Sequence, residues 1–333
     1  MKATKLDFEN YEGQLVTHGI DVIDDPEPKN GKPAVYIFAL NHSPNARFVE
    51  FMQDPALEDD AKLLHKSKRQ IEVFYHVRGT SKLTHVRTIR DDSILMPNDI
   101  FAETPKSIYI TSDPTLMGSA TTKSGDTATA IRSSTYHIKL SQLWEVWDPE
   151  SHLNITVASN KLQNNNGIGH GQTKQEVLIT SMTSGVMLRG RFSPTADSRR
   201  ITYIDEFKLP PMVGNPSYFR DPYADAEEDA SGYIVPSHYR ALERTLGQDA
   251  AAKDDSLTIW QIRKAKKGGS ASWTREGNWE KRILFEDDGS RIRSANSAVV
   301  VPIDPKLEDG LRKGWLVITG VVAKNIIAVK VDL

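Results

Sequence analysis

Residues 71–90 read "IEVFYHVRGTSKLTHVRTIR", two alternating runs on either side of a Gly-Thr-Ser turn. Ile71, Val73, Tyr75 and Val77 recur at every second position, the period of a strand that turns one face to a core. A helix would need a 3.6-residue period, which this stretch lacks. The same pattern recurs along the chain. "PAVYIFALNH" (33–42), "SIYITSD" (107–113), "HLNITVAS" (152–159), "QEVLITSM" (175–182) and "GVMLRGRF" (185–192) all read as strands. So do "GYIVPSHY" (232–239), "SLTIWQIRK" (256–264), "KRILFEDD" (281–288), "SAVVVPID" (297–304), "WLVITGVV" (315–322) and "NIIAVKVDL" (325–333). They are rich in Val, Ile, Tyr and Thr, and Gly, Asn, Asp, Ser and Pro punctuate them.

Helical patterns are few and short: "SPNARFVEFMQDP" (43–55), the polar "DPALEDDAKLLHKSK" (54–68) and "SHYRALERTLGQDAAAK" (237–253). Many even strands with little helix, in a chain of 333 residues, favour an all-β propeller over a sandwich. No blade signature of the WD or kelch type is present. We read residues 1–333 as a single domain with insertion loops near 119–137, 221–232 and 265–280. "NGIGHG" (166–171) has glycines at alternate positions but no strand–turn–helix frame of the dinucleotide-binding kind, and it reads as a turn. The acidic loop around 221–232 reads as a solvated loop rather than a cation site.

Composition narrows the function classes. Hydrophobic residues make up 38% and charged residues 26%, enough for a packed core. A net charge of −2 gives no reason to expect nucleic acid as the partner. The absence of cysteine excludes disulfides, thiolate nucleophiles and zinc–thiolate sites, and suits a reducing compartment. The first residues hold no apolar segment of signal-peptide length, and no run approaches the roughly 18 apolar residues of a membrane span. A cytoplasmic location is the expectation. There is no Gly-x-Ser-x-Gly elbow, no His-Glu-x-x-His and no phosphate-cradling glycine loop with its lysine.

What stands out is a series of imidazoles and small oxygen-bearing residues at strand ends: His18, Asn41 and His42, Asn98 and Asp99, Asp113, Asn166 and Asn215. Hard cations such as calcium take six to eight oxygens of this kind. Each residue alone reads more simply as a turn or core position. In order, however, "THGIDV", "VYIFALNHSPNARFVEFM", "IEVFYH", "LTHVRTIR", "PNDI", "IYITSD", "NNNGI", "VGNPSY" and "SGYIVPSHYRAL" resemble the paraoxonase/arylesterase family. That family belongs to the calcium-dependent phosphotriesterase and gluconolactonase-like propellers, and "YFRDPY" and "FEDDGSRIRSA" resemble its fungal branch.

The resemblance implies a six-bladed β-propeller, incomplete in its first or last blade, with two calcium ions, one structural and one catalytic. It implies hydrolysis of small lactones, aryl esters or phosphotriesters, with the metal polarising the carbonyl or phosphoryl oxygen and a histidine dyad activating water. Residue by residue, His18 and His42 match the dyad. Asn166 and Asn215 match ligands of the catalytic calcium, Asp113 a ligand of the structural calcium, and His238 a pocket histidine. Ser112 stands where the family has Asn, and Gly214 where it has Asp, so an amide becomes a hydroxyl and a carboxylate is lost. The family's Glu-Asp segment precedes "THGI", which here begins at residue 17, so the chain reads as N-terminally truncated. Fewer charged ligands weaken calcium binding, and the alternative is a degenerate propeller acting as a binding module.

Overall fold

The computed structural model describes residues 4–28, 31–53, 67–94, 96–113, 133–193, 199–226, 228–238, 256–265, 273–321 and 323–333. The chain falls into two compact units, Met1–Lys161 and Leu162–Leu333. The first holds β1 (Asp7–Phe8), β2 (Thr17–Asp24), β3 (Ala34–Asn41), β4 (Gln70–Val77) and β5 (Lys82–Ile89) in one sheet, ordered β1-β5-β4-β3-β2. Its second sheet runs β6 (Pro97–Thr104), β7 (Ser107–Ser112), β8 (Ser134–Leu140), β9 (Leu153–Ser159). The second unit opens with the meander β10 (Asn165–His170), β11 (Glu176–Ser181), β12 (Val186–Phe192), β13 (Ile201–Lys208). It continues with β14 (Ser217–Phe219), β15 (Gly232–His238), β16 (Leu257–Lys264), β17 (Thr274–Glu276) and β18 (Trp279–Asp287), and ends with β19 (Ala295–Pro302), β20 (Lys313–Gly320) and β21 (Ile327–Asp332).

The described strands therefore form five sheets of the propeller-blade type, not the expected six. Two short strands lie at sheet edges. β1 adds to β5 in parallel, and β17 folds back on β18. The last sheet has only three strands.

Alternating residues from facing sheets make the cores. In the first unit Phe38, Leu40 and Val73 of one sheet meet Ile100, Ile108, Ile110 and Ile138 of the other, all buried. In the second unit Leu178, Met187 and Phe207 pack with Tyr233, Val235 and Ile262, while Ile234 and Ile259 pack with Ala298, Leu316 and Ile318. At about 25 cal/mol per Å² of apolar surface removed from water, these clusters dominate the stability of each unit.

Three local readings change. "NGIGHG" is not a turn: its residues form β10, with Asn165 leading. The glycines serve close approach, since a Cβ on Gly167 would lie 2.6 Å from Asn215 Cα and one on Gly169 would lie 2.2 Å from Pro216 O. The loop expected near 119–137 gives way to β8 from Ser134, and the one near 265–280 contains the β17–β18 hairpin. Of the three helical patterns, the first forms α1 (Ala46–Gln53). The second lies almost wholly outside the described residues; the third begins on β15 at Ser237 and His238 and then leaves them. No described helix is long and apolar enough to cross a membrane.

Candidate functional site

One device recurs in every sheet. One end strand of each sheet (β2, β6, β10, β19 and the run into β14), termed its first strand, begins with a β-bulge, where it carries one residue more than its partner. Thr17 faces Asn41 but Ile20 faces Ala39; Pro97 faces Ser112 but Ile100 faces Ile110. Asn165 faces Ser181 but Ile168 faces Ile179, and Ala295 faces Gly320 but Ser297 faces Thr319. In the fourth sheet Val213 faces Ser237 but Ser217 faces Ile234. The register makes His18, Asn98, Asn166, Gly214 and Asn296 equivalent, and it sets Asn215 one residue further on, level with Gly19, Asp99 and Gly167.

A second set follows on the neighbouring strand. The backbone N–H groups of His42, Asp113, Met182, His238 and Val321 donate in turn to the carbonyls of Val16, Met96, Asn164, Met212 and Ser294. His238 thus stands in its sheet where His42 stands in the first, and Ser112 is the counterpart of Ser181 and Ser237, not of Asn166. Threonine completes two of the bulges. Thr111 Oγ1 accepts from Asp99 N at 3.1 Å, and Thr180 Oγ1 accepts from Gly167 N at 2.9 Å.

In the first unit the bulges bring His18 and His42 together. Their rings are nearly parallel with centroids 5.1 Å apart. His18 Nδ1 lies 2.8 Å from Asn98 O, and His42 Nε2 lies 2.9 Å from Pro97 O. A carbonyl only accepts, so these nitrogens carry the protons, leaving lone pairs on His18 Nε2 and His42 Nδ1. His18 is exposed and His42 is half-buried. Burial, reinforced by the charges of His18 and Arg69 and opposed by the Pro97 carbonyl, pushes the His42 imidazole down to about 4.

The same β6 bulge supplies oxygens. Asn98 is 8% exposed and Asp99 3%. Asn98 Oδ1 is buried with no hydrogen-bond partner among the described residues, an atom that needs a ligand to offset its desolvation. Gly19 permits the approach, because a Cβ there would sit 2.6 Å from Asp99 Oδ1. Ser112 and Asp113 are also buried, but their oxygens serve the protein. Ser112 Oγ accepts from Met96 N at 3.3 Å, and Asp113 Oδ1 accepts from Ser133 Oγ at 2.7 Å.

In the second unit Gly167, which follows Asn166, lies against Asn215. Asn215 N donates to Asn296 O at 2.7 Å, and the Asn215 side-chain oxygen has no hydrogen-bond partner among the described residues. His238 is buried at the end of β15. The matched metal set is thus divided, with Ser112 and Asp113 in the first unit and Asn166 and Asn215 in the second. No group of three His, Asp or Glu side chains is gathered among the described residues. The donors that fit a hard cation are amide oxygens and the Asp99 carboxylate.

Asn98 and Asp99 were singled out only as oxygen-bearing residues of "PNDI", and Asn296 not at all. Aligning "IYITSD" with "VLITSM", and with them the preceding "PNDI" and "NNGI", would have exposed the repeat.

No protein-family model matches the sequence, and none of the curated proteins matches it. Among solved structures, the chain is similar to the periplasmic gluconolactonase of Pseudomonas aeruginosa over 92% of its length and 68% of that chain, with 8% identity and a TM-score of 0.33. It is similar to a luciferin-regenerating enzyme over 96% of its length and 91% of that chain, with 9% identity and a TM-score of 0.36. At such distance the function has to be argued from this chain's own geometry.

Proposed function

We propose that the protein is a calcium-dependent hydrolase of small lactones, aryl esters or phosphotriesters. The observation that carries this reading is the His18–His42 pair, fixed through one nitrogen each to successive carbonyls of a bulge that also bears Asn98 and Asp99. Asn98 and Asp99 would hold the cation in the first unit, and Asn166 and Asn215 are amide donors of the same kind in the second. When bound, calcium supplies Lewis-acid polarisation of the substrate's carbonyl or phosphoryl oxygen.

The chain's own residues do the proton work. His18 Nε2 accepts a proton from the attacking water, and the hydrogen bond to Asn98 O holds the ring in the tautomer that can do so. His42 stays neutral, stacks on His18 and adds no charge against the imidazolium that forms. The test is hydrolysis of phenyl acetate, a δ-lactone and paraoxon with calcium and with chelator. We expect chelator-sensitive turnover; folded protein with none overturns the reading.

A second reading, a propeller serving as a binding module, is favoured by one observation: Ser112 and Asp113 direct oxygens to Met96 and Ser133. Calorimetry separates the two, since stoichiometric calcium binding lost in Asp99→Ala supports the first.

A further inference from the structure

Among the described residues, the last sheet ends on β21 with no strand paired to its outer edge. The other four sheets have four or five strands, whereas this one has three, with β21 outermost. Leu333 N donates to Arg312 O, so Leu333, Val331 and Val329 turn their backbone groups toward β20. Ladder alternation then turns those of Ala328, Lys330 and Asp332 outward. One outward carbonyl is already taken by a side chain in place of a strand: Arg282 Nη2 donates to Asp332 O at 2.8 Å.

Beside this edge lies a groove of about 450 Å³ between β21 and β18, lined by Ile283, Phe285, Val329 and Val331 and by Arg282, Lys313 and Lys330. β16 pairs the inner edge of β18 throughout, but outer-edge pairing by β17 stops at Lys281, and among the described residues no strand covers the outer edge beyond it. The two faces of β21 differ. Val329 and Val331 face the core, and Lys330 lies on the other face, over Trp315. Lys313, opposite Asp332, shares the Lys330 face. Glu308 bridges both lysines, and with Asp332 it leaves three cations against two carboxylates.

We propose that β21 receives a fourth strand from a partner protein, an extended segment alternating apolar and acidic residues. Its apolar side chains enter the groove against Ile283, Phe285, Val329 and Val331, and its carboxylates meet Lys330, Lys313 and Arg282. The molecule uses this device itself at the other end of the chain. β1 covers the β5 edge through Asp7 N to Ser81 O and Glu9 N to Leu83 O, with Glu9 on Lys82 at 2.6 Å and Leu6 packed inward. Charge decides against a second copy paired through the same edge, which would set the lysines of both copies on one ladder.

The probe is a synthetic peptide of residues 4–12, TKLDFENYE, added to the whole chain. We expect it to slow amide exchange at Ala328 and Lys330 by about tenfold or more and to bind more weakly at high salt. Ala328→Pro removes an outward N–H without touching the β20 ladder, so it should abolish the protection while the urea midpoint followed by tryptophan fluorescence is retained. Lys330→Glu should weaken binding. No slowing at a peptide concentration of about 1 mM, or equal binding by Ala328→Pro, overturns the proposal. So does a dimer in light scattering that Ala328→Pro dissociates. None of these readouts depends on hydrolysis, so they stand or fall apart from the enzyme assignment.

Discussion

The two units build the same bulge and load it differently. In the first, the bulges carry His18, Asn98 and Asp99, with His42 and Asp113 on the next strand. In the second, the bulges hold Asn166, Asn215 and Asn296, followed by Met182, His238 and Val321. The backbone ladder, the extra residue and the supporting threonine are shared, so they belong to the scaffold. The imidazole pair and the buried carboxylates of Asp99 and Asp113 at the bulges belong to one unit only, and proton chemistry is expected there.

The sharpest way to break this comparison is to give the first unit the second unit's residue. His18→Asn keeps a residue type that the bulge accepts elsewhere, so the fold should survive. On the proposed mechanism kcat/KM should fall by about 10²–10⁴-fold, the usual worth of a general base. Asn296→Ala should stay within about tenfold of the parent, because it removes no proton acceptor from the histidine pair. Equal losses in the two variants would mean that the division of chemistry between the units is wrong.

Next in size is the shared scaffold. Gly19 lies against Asp99, and Gly167 against Asn215, at distances that no side chain tolerates. Gly19→Val and Gly167→Val should each cost about 1–3 kcal/mol in urea unfolding. A variant that unfolds like the parent would show that the strand packing at that bulge is looser than described. The threonines separate the units again. Thr180 Oγ1 accepts from Gly167 N and also donates to Gly214 O at 3.0 Å. Thr180→Val should therefore cost about 1–3 kcal/mol and exceed Thr111→Val measured the same way.

A smaller, pH-dependent difference attaches to the first unit. Burial, then the charges of His18 and Arg69, depress the His42 imidazole to about 4. An unfolded histidine titrates near 6.5. Between these values the unfolded chain binds the extra proton, so this stabilisation is complete above about pH 6.5 and is lost as the pH falls toward 4. NMR titration of the ring protons should place the His42 midpoint well below the roughly 6.5 of an unperturbed histidine, and His42→Gln should flatten the acid limb of the stability curve.

Much of the fold was legible in the sequence, but not the part that holds the site. The middle strands, such as "VYIFALN" and "SIYITS", are buried on both faces and advertise themselves through β-branched and aromatic residues. Four of the five first strands, β2, β6, β10 and β14, were not read as strands from the pattern. A bulge breaks the period of two, and Gly19, Gly167 and Gly169 are there for close approach rather than for β propensity. The candidate residues sit on those same bulges. His18 and His42 stand out through the order of motifs that resembles a known family, whereas the register is needed to place Asn98 with Asn166 and Asn296. The number of blades was hidden for a related reason, since nothing in "KLDFENYE" says that it extends an existing sheet.

The smallest effect concerns the residue that leads into each bulge. In the second unit it is left-handed: Asn164 has φ 51°, Met212 63° and Ser294 49°. Val16 and Met96, in the same place in the first unit, are not among the residues of positive φ. A side chain in that region carries a steric cost that glycine escapes, whereas glycine in ordinary backbone carries an entropic one. Ser294→Gly should then stabilise the protein by a few tenths to about 1 kcal/mol, and Val16→Gly should destabilise it by about the same amount. Both sites are partly open to solvent, so packing contributes little to either change. Paired urea curves on the two variants test the sign, and shifts in the same direction would mean that the lead-in residues of the two units have one geometry after all.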